Sequence, residues 1–214
     1  MSTDSTKPTT PEQVEAFFTR ASGDYVFARW GRPIAPVVFG VEDETLSVIK
    51  SAIEACVAIA GHRIEDVDPE LGTNLMVFFL SDWAELLDVP HMGDLIPDLA
   101  ARVETLQAKN AHQYRAFRFD EAGAIKACFT FVRMSDAMAE IPAEVIALSQ
   151  AVQAMLLWSD MAFTQDSPLA LSPAGTVIRP DVANLLRAAY DPILPPSARD
   201  ASHALRLYAR VMAG

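Results

Sequence analysis

Cysteine is nearly absent: the 214 residues hold two, Cys56 and Cys128, each in an apolar stretch with no Cys-x-x-Cys or Cys/His spacing around it. Two buried, reduced thiols are the expectation, with a single disulfide as the alternative. Basic residues are scarce too, 17 Lys plus Arg against 28 Asp plus Glu, for a net charge of -11. Such a chain repels phosphate backbones and anionic membrane surfaces, which argues against a nucleic-acid partner. No stretch reaches the roughly 18 consecutive apolar residues that a membrane helix needs. The opening "MSTDSTKPTTPE" is rich in Ser, Thr and Pro and has no apolar run to serve as a signal peptide. The chain therefore reads as cytoplasmic as it stands, and as periplasmic or envelope-bound if an export signal has been removed. The four histidines, His62, His91, His112 and His203, show no HxH or HxxxH spacing and read as surface residues on loops and helices. There is no GxSxG elbow, P-loop or GxGxxG, so neither a serine-hydrolase turn nor a nucleotide cradle is signalled.

What is present is a large apolar fraction, 51%, enough to bury a sizeable core. Residues 1–10 read as a disordered N-terminal segment and 11–214 as one domain. A helix is expected from "TPEQVEAFFTRA", with Thr10 as cap and Pro11 at the first position. "RPIAPVVFGV" reads as a short strand whose Pro33 and Pro36 favour a sheet edge. "DETLSVIKSAIEACVAIAG" has helical periodicity and stops on Gly61. The apolar run "NLMVFFL" is too short for a helix and reads as a central strand, followed by helical insertions at "SDWAELL" and "LIPDLAARVETLQAKN". "YRAFRFD" and "AIKACFTFVRM" alternate with period two around "EAG" and form a hairpin. A second long helix runs from about Ala143 to Phe163, and two shorter helices complete the chain. The sum is an α+β domain: a small mixed sheet, two long helices and a helical C-terminal part.

That element order, with a long helix directly after a hairpin, resembles the zincin metallopeptidase fold. "ARWGRPIAPVVFG", "NLMVFF", "SQAVQAMLLWSD" and "LLRAAYDPILPP" also resemble an uncharacterised bacterial family whose members are often labelled lipoproteins. In that family the helix carries a pattern that looks like an eroded HExxHxxGxxH. Laid on this chain, the resemblance puts the two helical ligand positions at Ser149 and Gln153 and the general base at Gln150. The glycine position falls at Leu156, the third ligand at Ser159 and the following acid at Asp160.

Catalytic zinc takes His nitrogen or carboxylate oxygen from three protein groups and leaves a position open for water. Amides and hydroxyls are weak ligands for it, and a glutamine cannot accept the water's proton. No metal or other cofactor is therefore expected, and no peptidase activity. At 100° per residue, Val145, Leu148, Val152, Met155 and Leu156 share about 100° of arc and form the expected core face. Ser149, Gln153 and Asp160 lie within about 40° of one another at its edge.

Three functions stay open at this point. A non-catalytic zincin-like module could bind a peptide or protein partner in a cleft along Ser149, Gln150, Gln153, Ser159 and Asp160. An enzyme could use other residues, with Asp160, Asp166 and His203 as first candidates. The third is a structural subunit of a larger assembly. A polar cleft over the glutamines favours the first, a buried carboxylate near a histidine the second, and a large apolar patch the third.

Overall fold

In the computed structural model, which describes residues 10–173 and 175–213, Thr10 caps the first helix, α1 (Pro11–Ala16). Its hydroxyl accepts from Gln13 N while Thr10 N donates to Gln13 Oε1, a reciprocal capping box. Thr10 apart, the segment expected to be disordered lies outside the described residues. A two-residue strand, β1 (Phe27–Ala28), leads to β2 (Pro36–Phe39) and the long helix α2 (Asp43–Ile59). Helix α2 begins with two acids, Asp43 and Glu44, that suit the positive end of its dipole, and a left-handed Gly61 (φ 62°) follows its end. Next come β3 (Leu75–Leu80), the helices α3 (Glu85–Asp88), α4 (Met92–Leu95) and α5 (Leu99–Ala108), and the hairpin of β4 (Gln113–Phe119) and β5 (Ile125–Arg133). Helices α6 (Asp136–Ala139) and α7 (Ala143–Met155) follow. The remainder is β6 (Leu169–Ser172), β7 (Gly175–Ile178), α8 (Pro180–Ala189), β8 (Ser197–Ala198) and α9 (Ser202–Ala213).

The main sheet runs β2-β3-β5-β4, with β2, β3 and β5 parallel and β4 antiparallel at one edge. Mixed α and β structure with a small sheet and two long helices is what the sequence led one to expect. Strand alternation divides the core in two. Leu75, Val77 and Cys128 point to one face, where Ile53, Cys56 and Val57 of α2 and Ala147, Ala151 and Val152 of α7 cover them. Phe129, Phe131 and Ala127 point to the other, beneath Trp83, Leu86, Met92 and Val103 from the segment α3 to α5. Burying a side chain such as Phe131, fully enclosed here, is worth about 2–3 kcal/mol. Both cysteines are buried and unbonded, and burial pushes the thiol of Cys56 up to about 12 and that of Cys128 up to about 11.

Three expectations fail. The chain after Phe163 was expected to be helical only, yet β6 and β7 form an antiparallel hairpin, and β1 pairs with β8. The second long helix is also shorter than expected, ending at Met155 rather than near Phe163. Leu156 is extended (φ -135°, ψ 158°) and bridges to Arg29, while Leu157 N donates to Ala28 O. No glycine stops the helix. Its last carbonyls are taken by aromatic side chains instead: Trp158 Nε1 donates to Val152 O at 3.0 Å, Trp30 Nε1 to Ala154 O at 2.9 Å, and Tyr190 Oη to Met155 O at 2.7 Å. The core face is shifted as well. Ile146, Ala147, Gln150, Ala151, Val152, Ala154 and Met155 are buried, whereas Val145 and Leu148 are half-buried.

Candidate functional site

The outer edge of the main sheet is β4, and its period-two alternation gives Gln113, Arg115 and Phe117 one face in common. Arg133 N donates to His112 O, so the ladder's alternation turns the backbone groups of Gln113, Arg115 and Phe117 away from β5. Beside that face lies the second half of α7. The two elements are joined by one guanidinium. Arg115 Nη1 donates to Gln153 Oε1 at 3.0 Å, and Nη2 donates to Gln113 Oε1 at 3.0 Å and to Gln150 Oε1. The amides close the ring: Gln150 Nε2 donates to Gln113 Oε1 at 2.9 Å and Gln113 Nε2 to Gln153 Oε1 at 3.3 Å. Every partner is neutral. Burial pulls the Arg115 pKa down to about 10, opposed by a smaller electrostatic contribution from Cys128.

Past the end of α7 the chain turns back toward α1. Ser159 N donates to Phe17 O, and Ser159 Oγ donates to Thr19 O at 2.5 Å while accepting from Met161 N at 3.0 Å. Asp160 Oδ1 accepts from Ala21 N at 3.0 Å, and Arg20 Nη1 donates to Trp158 O at 2.8 Å. These contacts frame a pocket of about 250 Å³ whose polar walls are Arg20, Arg115, Gln153, Ser159 and Asp160 and whose apolar walls include Phe117, Trp158 and Phe163. Phe163 is held at a left-handed φ of 60° and packs on Trp158 with ring centroids 5.0 Å apart.

Three of the five expected cleft residues, Gln153, Ser159 and Asp160, share that pocket. The other two stand behind it. Ser149 Oγ accepts from Gln153 Nε2 at 3.0 Å, and Gln150 is buried against Arg115 rather than on a wet flank. Ser159 and Asp160 lie beyond the helix, so the polar stripe expected along one helical flank is instead built from a helix, a turn and a strand. Missing from the sequence reading were Arg20, Gln113, Arg115, Phe117 and Phe163. The strand's alternation carries the only local signal for three of them.

His203 is a further correction, being 3% exposed rather than on the surface. Its Nδ1 lies 2.9 Å from Tyr25 Oη, its ring packs 4.3 Å from that of Phe27, and its buried Nε2 has no partner among the described residues. Asp160 and Asp166 are exposed, and the buried carboxylate of Asp68 is held by Arg32, Asn74 and backbone N–H groups. The arrangement that would have favoured a second enzymatic site, a histidine beside a buried carboxylate, is not formed by these residues. No cluster of three or more His, Cys, Asp or Glu capable of holding a metal ion occurs among the described residues. Nor is any described helix long and apolar enough to cross a membrane.

A larger cavity, about 540 Å³, opens at the other end of α7, where Val41, Ile49, Phe79, Met134, Ile141 and Ile146 line it. Compared with known proteins, the chain matches no family model, no curated protein and no solved structure.

Proposed function

We propose that this chain is a non-catalytic, zincin-like domain that binds an extended peptide along the open edge of β4, in the groove between that strand and the end of α7. One observation carries the reading. The helix positions that the resemblance assigns to a metal ligand and the general base, Gln153 and Gln150, hold a cation, but it is the guanidinium of Arg115. An arginine fixed there supplies no Lewis acid and no exchangeable water. Peptidase chemistry is lost on this reading, and the groove is kept.

The two sheet edges also differ in what they offer. Pro36 begins β2, and Ile34 beside it already bridges to Ile64, so that edge is short and partly covered. Strand β4 has seven residues, no proline and outward-turned backbone groups, of which the Phe117 carbonyl accepts from the neighbouring Arg118 side chain at 3.1 Å. Strand addition draws affinity from main-chain hydrogen bonds and selectivity from a pocket that takes alternate side chains, and the pocket beside Arg115 is placed for the second task.

The test is a peptide selected against the protein from a random twelve-residue library and then N-methylated one residue at a time. Strand addition makes every second methylation abolish binding, because only alternate N–H groups of an added strand face β4. Sensitivity without that period, or failure to select any peptide, overturns the proposal.

A further inference from the structure

We infer that the pocket beside Arg115 recognises a single carboxylate on the bound peptide, an inference that rests on the peptide-binding reading above. A guanidinium has five N–H donors. Three of Arg115's are taken by amide oxygens, none by a carboxylate, and its buried Nε has no partner among the described residues. The cation is thus solvated by dipoles in a place largely closed to water, without a formal counter-charge. Such a site gains from an incoming anion more than an exposed arginine does, because charge-assisted bonds strengthen as water is excluded.

The pocket is shaped to admit that anion on one route. Gln153 both lines it and holds Arg115 Nη1 at 3.0 Å, so a carboxylate that takes the place of the Gln153 oxygen reaches the guanidinium directly. Arg20 stands in the same pocket, its Nη1 committed to Trp158 O, and Phe117, Trp158 and Phe163 wall it with aromatic surface for the adjoining apolar atoms. Asp160 lines it too, with Oδ1 committed to Ala21 N. Its negative charge, on a chain of net charge -11, works against a second anion nearby. The chemistry that fits is therefore one carboxylate flanked by apolar groups, not a phosphate or a run of acids. It can come from an Asp or Glu side chain or from the peptide's own C-terminus.

Three peptides separate these sources: Ac-TVTETV-NH2 with an internal acid, Ac-TVTQTV-OH with a free C-terminus, and neutral Ac-TVTQTV-NH2. Each is titrated by Trp fluorescence and by the arginine Nε–H resonances of 15N-labelled protein, in which the Arg115 signal is assigned by its loss in Arg115→Lys. At least one carboxylate peptide is expected to bind about tenfold or more tighter than the neutral one and to shift the Arg115 Nε–H. Arg115→Gln is expected to erase the difference. The shift is read on the wild-type protein, so the inference stays testable if the variant folds poorly. Equal binding of all three peptides with every second N-methylation still abolishing it overturns the carboxylate site and leaves the peptide reading standing. Preference for an acid without any shift at Arg115 also overturns the site. No binding by any of the three at about 5 mM while a selected peptide still shows the alternate N-methylation pattern overturns the carboxylate site alone, and failure of the library as well removes both.

Discussion

Asp68 and Arg115 are both charged side chains drawn largely out of water, and their surroundings differ in kind. Asp68, 4% exposed, accepts from Glu70 N at 2.9 Å, Leu71 N at 2.8 Å and Asn74 Nδ2 at 3.0 Å, and pairs with Arg32 at 3.3 Å. Burial alone would push its carboxyl up, but these donors outweigh burial and hold it below its ordinary value. Asn74 extends the cluster to the start of β2, accepting from Ala35 N and donating to Pro33 O, both at 2.8 Å. Charge and hydrogen bonds are complete there, and the result is a clasp between a loop and the sheet. Around Arg115 three of five donors are satisfied, by neutral amides, and the charge is not matched. A closed cluster holds the fold, whereas one left short of a counter-charge is available to a ligand.

Mutation should separate the two clusters by size of effect. Asn74→Ala strands Ala35 N and Pro33 O and takes one donor from the Asp68 carboxylate, and is expected to cost about 3 kcal/mol in a urea unfolding series. A loss under about 1 kcal/mol would mean that the clasp is ornamental.

His203 offers an intermediate case, a buried titratable group kept neutral. Burial, with a smaller contribution from Arg206, pulls its pKa down to about 4, against about 6.5 in the unfolded chain. Between those values the unfolded chain binds the extra proton, so stability falls as pH drops from 6.5 toward 4 and this contribution is flat above 6.5. Over pH 6.5 to 5 the loss is expected to reach about 2 kcal/mol. Since carboxylates also begin to titrate at the low end, the measurement is the difference in slope between wild type and His203→Gln. Equal slopes would show that the imidazole is not held neutral.

Arg115→Gln should have the smallest effect on stability, about 1 kcal/mol or less, because the change removes a desolvated cation along with its amide bonds. A cost comparable to that of Asn74→Ala would make Arg115 a structural clasp too, and the contrast would collapse.

The parts of this architecture that were legible in the sequence are those whose signal is local. "NLMVFFL" has the length and the unbroken apolar run of a buried central strand, and "DETLSVIKSAIEACVAIAG" carries its own period and its own glycine stop. The end of α7 has no such mark. It is fixed by donors on Trp30 and Tyr190, more than thirty residues away on either side, as well as by Trp158. Gln150 belongs with the polar residues by type and with the core by position, and only the hairpin's Arg115 reconciles the two. The same applies to His203, whose partner Tyr25 lies at the other end of the chain. Ser159 and Asp160 were found for a reason that the helix boundary undoes, yet the turn after Met155 brings them to the pocket with Gln153. The candidate site was thus half visible: the α7 side through the residues themselves, the β4 side only through their tertiary pairing.

The most direct test of peptide binding at the β4 edge is backbone hydrogen exchange, followed by mass spectrometry, with and without a saturating selected peptide. The outward N–H groups of Gln113, Arg115 and Phe117 should gain protection, together with residues 157–163 around the pocket, while β2 and the segment α3 to α5 stay unchanged. Protection on β2, or a bound peptide that leaves β4 exchanging as before, would contradict the account.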